Sequence, residues 1–160
     1  MKTKPSKKAV RIILTAASVL WLAFIFLNSA LDGDSSSAMS GWALEFVQSV
    51  LDMLSVPLTL TEHFVRKAAH FTEYFILGAL VMPTVLMYQS RRRYIISIPV
   101  CLAVCFAAAC FDEMFIQARV PGRCASMTDS FIDLSGAAAA VLAVCFIAAV
   151  KWRRSNLTEE

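Results

Sequence analysis

Apolar residues in this chain gather into four long runs separated by shorter polar breaks. The first covers roughly residues 10–30 (VRIILTAASVLWLAFIFLNSA) and the second roughly 68–88 (AAHFTEYFILGALVMPTVLMY). The third runs from about 94 to 111, with helix continuing to about 117, and the fourth covers roughly 129–150. A helix needs about 20 predominantly apolar residues to cross a bilayer core, and it satisfies its own backbone polar groups, as lipid demands. The pattern predicts an all-α membrane protein with four transmembrane helices, organised as a single membrane domain over residues 1–160.

Between the first two runs, residues 31–62 begin polar (DGDSSSAMSG) and then turn amphipathic. Leu44, Val47, Val50, Leu51 and Leu54 recur at helical spacing, Glu45, Gln48 and Asp52 fall on other faces, and Trp42 and Phe46 stand at the start. A short amphipathic helix is expected in this first external loop, lying in the outer interface or packed on the ends of the spans. Pro57 is expected to end it.

Composition agrees with a membrane-embedded chain: 58% of the residues are hydrophobic and 17% charged, with a mean hydropathy of +0.64. The basic start MKTKPSKKAVR followed by an apolar run has the outline of a signal peptide. That run exceeds the usual signal core of about 7–15 residues, and NSA before Leu31 is a poor cleavage site, so it is expected to remain as a span. Charge then sets the orientation. With both termini inside, the cytoplasmic side receives Lys2, Lys4, Lys7, Lys8, Arg11, Arg91, Arg92, Arg93, Lys151, Arg153 and Arg154, eleven of the fifteen basic residues. Arg66, Lys67, Arg119 and Arg123 are left outside. The expected location is a cytoplasmic (inner) membrane, crossed several times. The net charge of +3 forms no continuous basic stripe, so no nucleic-acid partner is expected. Of the five cysteines, Cys101, Cys105, Cys110 and Cys145 lie in apolar spans and Cys124 in a loop; with no C-x-x-C pair they read as small packing residues.

The polar residues inside and at the ends of the spans carry the candidate chemistry. Lys67, His70 and Tyr74 form one helical stripe, with Glu73 one turn from His70. Glu113 and Gln117 share a face, with Asp112 about 100° around. Asp129 and Asp133 share another face, which Gly136 and Ala140 continue with side chains small enough for close helix approach. Measured from Arg91, Arg93 and Lys151, Glu73, Asp112, Glu113 and Asp133 all lie roughly 27–30 Å from the inner surface. Charges at that depth should turn inward, pair, or line a wet cavity. In the loop ARVPGRCASMTD, Pro121-Gly122 predicts a tight turn that presents Arg119 and Arg123 beside the carboxylates. There a guanidinium can pair with a carboxylate or grip a phosphate through two oxygens.

The segments RKAAHFTEYFILGAL, FDEMFIQARVPGR and TDSFIDLSGAAAAVL, in that order, resemble the VanZ-like family of small bacterial membrane proteins, whose namesake is associated with resistance to the glycopeptide teicoplanin. The resemblance covers roughly Phe64 to Leu142 by motif, and the first span and Ser-rich loop match the family architecture. It places family positions on Lys67, His70, Tyr74 and Gly78, on Asp112, Glu113 and Gln117, on Pro121, Gly122 and Arg123, and on Asp129 and Gly136. Asp133 departs from it, since many members carry Asn there, and the difference alters the charge of the pocket.

The candidate polar pocket is therefore Lys67, His70, Glu73, Tyr74, Asp112, Glu113, Gln117, Arg123, Asp129 and Asp133. Three readings stay open at this stage. The residues form an ion-pair network that holds the helices together; they bind an anionic or lipid-linked envelope ligand, a cell-wall intermediate or an anionic lipid, at the outer leaflet; or they belong to a membrane enzyme acting on a phosphate-bearing or lipid-linked substrate, with His70 or Glu73 as general base, Asp112 and Glu113 as acid or as ligands for a divalent ion, and Arg123 as charge stabiliser. No nucleophile motif and no H-E-x-x-H is present, and one histidine among carboxylates is weak evidence for a metal, so neither cofactor nor metal is expected. Transport would call for polar groups near the bilayer midplane, and the middles of the spans are apolar.

Overall fold

The structure, a computed structural model, describes residues 6–31, 33–89, 93–123 and 125–157. Lys2, Lys4, Arg91, Arg92 and Cys124 lie outside the described residues. Five α-helices make up most of the described residues: α1 (Lys7–Ser29), α2 (Gly33–Met53), α3 (Glu62–Tyr88), α4 (Arg93–Phe111) and α5 (Met127–Leu157). A π-helical turn, Asp112–Ile116, and a 3₁₀ turn, Gln117–Arg119, continue α4. Among the described residues, four segments are long and apolar enough to cross a membrane, Lys7–Ser29, Glu62–Tyr88, Tyr94–Arg119 and Met127–Lys151. They correspond to the four hydrophobic runs.

Caps define two of the starts. Ser6 accepts the backbone N–H of Ala9 ahead of α1, and Thr61 accepts that of Phe64 ahead of α3, each satisfying a donor that the first helical turn leaves unpaired. The capped start at Glu62 makes α3 27 residues long, about 40 Å, and brings Arg66 and Lys67 onto its first turns.

Helix α2 differs from its expected form at both ends. It begins at Gly33 and so takes in the Ser-rich stretch expected to be loop. It ends before Pro57 is reached: Ser55 adopts a left-handed conformation (φ 55°), its N–H donates to Asp52 O and that of Val56 to Leu51 O, the pairing of a Schellman turn. Trp42 and Phe46 stack with centroids 6.1 Å apart and stay exposed, together with Met39 and Met53. The opposite side faces α3, where Ser37 accepts a hydrogen bond from Arg66.

Helix α3 lies at the centre. Across α1 its partners run in opposite order, Tyr88 beside Thr15, Thr84 beside Ser18 and Glu73 beside Asn28, so these two helices are antiparallel. Across α5 they march in the same order, Lys67 with Asp129, His70 with Asp133 and Gly78 with Ala140, so α3 and α5 run parallel. That parallel pair is pressed together at two glycines. A Cβ built on Gly136 would stand 2.2 Å from the carbonyl oxygen of Phe71, and one on Gly78 2.9 Å from that of Ala137. Gly136 thus serves the close approach expected of it, and its partner is α3.

Tyr74, Leu77, Val81 and Met82 of α3 meet Cys101, Cys105, Ala108 and Ala109 of α4 and Ala137 and Val141 of α5 in the apolar core. The described cysteines are free, and Cys101 and Cys105 pack as expected. Ile12, Val19, Leu20 and Leu27 on α1, with Leu142, Phe146 and Ile147 on α5, point outward, the arrangement a lipid solvent favours.

Candidate functional site

The site sits where α3 and α5 begin and where α1 and α4 end. Asp112, Glu113 and Asp133 are fully buried, His70 and Gln117 nearly so, and Tyr74 completely. Two links tie α3 to α5: Lys67 to Asp129, both largely buried, and His70 Nδ1 to Asp133 Oδ1 at 3.4 Å. The stripes on each helix thus face one another across the parallel interface.

Asp112 and Glu113 both point inward, and the π turn explains how Gln117 reaches both of them. In an α-helix neighbours diverge by about 100°, whereas the turn at Asp112–Ile116 widens the backbone spacing to i→i+5, with Gln117 N–H donating to Asp112 O. Gln117 is then close to both acids. Its Nε2 donates to Asp112 Oδ2 at 3.0 Å and to Glu113 Oε1 at 2.7 Å, while its Oε1 accepts from Arg123 at 3.1 Å. The 3.6-residue period that paired Gln117 with Glu113 alone missed the contact with Asp112. Glu113 Oε2 takes the N–H of Ser126, just before α5.

Helix α1 contributes residues that the sequence reading left out. Ser29 Oγ donates to Asp112 Oδ2 at 2.7 Å, Asn28 Nδ2 to Glu73 Oε1 at 2.7 Å, and Trp21 Nε1 to the carbonyl of Glu73. Glu73 consequently turns toward α1, away from the stripe of Lys67, His70 and Tyr74. The available signal was the Asn-Ser pair that closes the first apolar run at the level of the carboxylates.

The loop after α4 forms the expected tight turn: Arg123 N–H donates to Val120 O at 3.2 Å, and Gly122, at φ 76°, supplies the left-handed residue that a type II turn requires. Its two arginines separate. Arg123 reaches Gln117, and burial pulls its guanidinium below its ordinary pKa while nearby Asp112 opposes that shift; the group stays charged at neutral pH. Arg119, expected beside the carboxylates, instead lies exposed, bonded to the carbonyl of Phe115 and stacked on that ring. The 3₁₀ turn ends there and turns it outward.

Two cavities open onto this cluster. The larger, about 470 Å³, is lined by His63, Arg66, Lys67, His70 and Arg123, with Asp129 as its carboxylate. The smaller, about 240 Å³, shares Arg66, His70 and Arg123 and extends past Asn28, Ser29 and Glu73 to Phe24, Met39 and Ala43. Basic groups thus predominate in the lining of the larger cavity, the mouth of the site, whereas the fully buried Asp112, Glu113 and Asp133 line neither cavity and form the floor of the site behind it. On the floor, one donor atom from each of His70, Asp112 and Glu113 lies within 4.8 Å of the other two, a spacing within reach of a metal ion.

Four membrane-length helices closing over a buried acidic floor with a basic mouth define a multi-pass membrane protein with a polar site at one end of the bundle. A family model, VanZ/LLP1, matches residues 14–148, and the chain belongs to that family. No curated protein and no solved structure matches it.

Proposed function

We propose that the protein lies in a bacterial cytoplasmic membrane with both termini inside and binds an anionic or lipid-linked envelope ligand in the larger cavity, at the outer leaflet. The observation that carries this reading is the lining of that cavity. Arg66, Lys67, Arg123 and His63 surround it, and its carboxylate, Asp129, is already engaged by Lys67. The first turns of α3 and α5 both border it, adding the partial positive charge of two helix N-termini. Phe24, Met39 and Ala43 in the adjoining cavity offer an apolar path for a lipid chain. Arg123 forms no ion pair among the described residues, so its guanidinium, tethered only to the Gln117 amide, is available to grip a phosphate. The association with teicoplanin resistance that the family resemblance implies belongs to the same proposal, through altered handling of a lipid-linked wall intermediate.

Arg123→Lys separates ligand binding from scaffolding. A guanidinium forks onto two oxygens and an ammonium does not, so the variant should melt like the parent in detergent. Its affinity for a polyprenyl phosphate should fall at least about tenfold, with phosphatidylglycerol as headgroup control, and teicoplanin susceptibility should change in cells. An unstable variant whose binding per folded molecule is intact would sink the proposal.

Orientation has its own check. Because eleven of the fifteen basic residues flank one side, a reporter fused after Glu160 should read cytoplasm. An exterior signal would put the cavity on the inner leaflet.

A further inference from the structure

Beneath the basic mouth, the floor of the site is short of positive charge and hydrogen-bond partners. Glu73, Asp112, Glu113 and Asp133 bring four carboxyl groups to one level, where His70 and Arg123 are the nearby groups able to carry positive charge, since Lys67 is held by Asp129 and Arg66 by Glu62. Unmatched charges in a desolvated interior are costly. Asp112 is fully buried and its Oδ1 has no hydrogen-bond partner; the same holds for both carboxylate oxygens of Asp133 and for the hydroxyl of Tyr74. His70 Nδ1 faces Asp133 but at a distance and angle short of a formed hydrogen bond. Each buried polar atom left in this condition costs about 1–3 kcal/mol, and native interiors rarely leave several together without a bound water or ion.

We propose that His70, Asp112 and Glu113 bind one divalent cation of the zinc or manganese type on the floor of the site, with Asp133 as the carboxylate that orients the His70 imidazole. Their donor atoms already lie within 4.8 Å of one another. Distances of about 2.0–2.2 Å to such an ion set neighbouring ligands roughly 3–3.6 Å apart, so a contraction of at most about 1.2–1.8 Å between donor atoms, shared among three side chains, brings them to ligating distance and leaves the remaining positions to water. The imidazole favours a first-row transition ion over magnesium or calcium, and the carboxylates suit zinc and manganese. A ligating histidine characteristically holds a carboxylate on its other ring nitrogen, the relation in which Asp133 stands to His70. Gln117 and Ser29, bonded to Asp112 Oδ2, hold that carboxylate while leaving Oδ1 unpaired. The cation also supplies the positive charge that the four carboxyl groups lack. This site does not depend on the anionic ligand of the cavity above it.

The test uses the full chain, purified in a non-ionic detergent, stripped with a chelator and titrated with Mn²⁺ or Zn²⁺ in a buffer free of phosphate and added lipid. One ion per chain is expected. Asp112→Asn and Glu113→Gln should each weaken binding at least about tenfold, and Asp133→Asn about 10–100-fold through the imidazole; Glu62→Gln, on the far side of Arg66, should leave it unchanged. The manganese spectrum of the parent protein should show coupling to a nitrogen nucleus, lost in His70→Gln; this readout needs no other variant to fold. A folded parent that binds neither ion, a bound ion without nitrogen coupling, or folded Asp112→Asn and Glu113→Gln proteins with undiminished affinity would each overturn the proposal. Because no phosphate is present, failure here leaves the ligand proposal standing, and loss of lipid-phosphate binding in Arg123→Lys leaves this one standing.

Discussion

Adding one methyl group at position 136 is expected to destabilise the bundle by on the order of 3 kcal/mol, at the upper end of what overpacking costs. The Cβ of Gly136→Ala would lie 2.2 Å from the Phe71 carbonyl oxygen and 3.1 Å from the Phe75 nitrogen, and both obstacles are backbone, which cannot rotate aside as a side chain can. The helices must separate, and doing so draws Lys67 from Asp129 and His70 from Asp133. Gly78→Ala should do the same more mildly, since its nearest obstacle stands at 2.9 Å. Gly41→Ala, inside α2 with nothing within 4 Å, should gain roughly 0.5–1 kcal/mol from helix preference alone. Melting curves of the three variants in one detergent check the order. A Gly136→Ala protein as stable as the parent would mean that α3 and α5 do not cross this closely.

The second large effect concerns His70 and Asp133. In metal-free protein, His70→Leu removes the imidazole that stands 3.4 Å from a fully buried carboxylate whose oxygens accept no hydrogen bond among the described residues, and stripping a buried charge of its nearest countercharge costs about 3–5 kcal/mol. Replacing both, His70→Leu with Asp133→Leu, should recover most of that loss, because two apolar side chains leave no uncompensated charge between the helices. The double variant should therefore melt near the parent and yet bind no cation. A double variant as unstable as the single one would show that the pair is more than an interchangeable contact between α3 and α5.

The membrane architecture was legible because each span states itself: a helix crossing lipid must be apolar over its length, and nothing distant can change that requirement. The same locality made the stripes of Lys67, His70 and Tyr74 and of Asp129 and Asp133 readable, since the period belongs to one helix at a time. Which stripe meets which was not readable. It depends on α3 and α5 running parallel in a register set by Gly78 and Gly136, and glycine spacing on one helix does not name its partner. Arg119 was misplaced because its direction comes from a 3₁₀ turn and a ring it stacks on, neither of which leaves a periodic trace. Asn28 and Ser29 were passed over because polar residues at the end of a span are ordinary there, and only the neighbouring Asp112 and Glu73 show their use. The early start of α2 was hidden by Gly, Asp and Ser, weak helix formers in isolation, which tertiary contacts such as that of Ser37 with Arg66 override.

The turn at Asp112–Ile116 can also be seen as one residue too many. A regular helix through the same length would pass Gln117 by only one of the two acids. An inserted residue, absorbed as a single wide turn, rotates everything before it against everything after it while the apolar part of α4 keeps its packing on α3. In this way one span packs the bundle through its α-helical part and presents two adjacent acids and an amide to the same interior beyond it. Lengthening a helix by one residue is a smaller change than rebuilding an interface, and here it separates the part of α4 that holds the fold together from the part that lines the site.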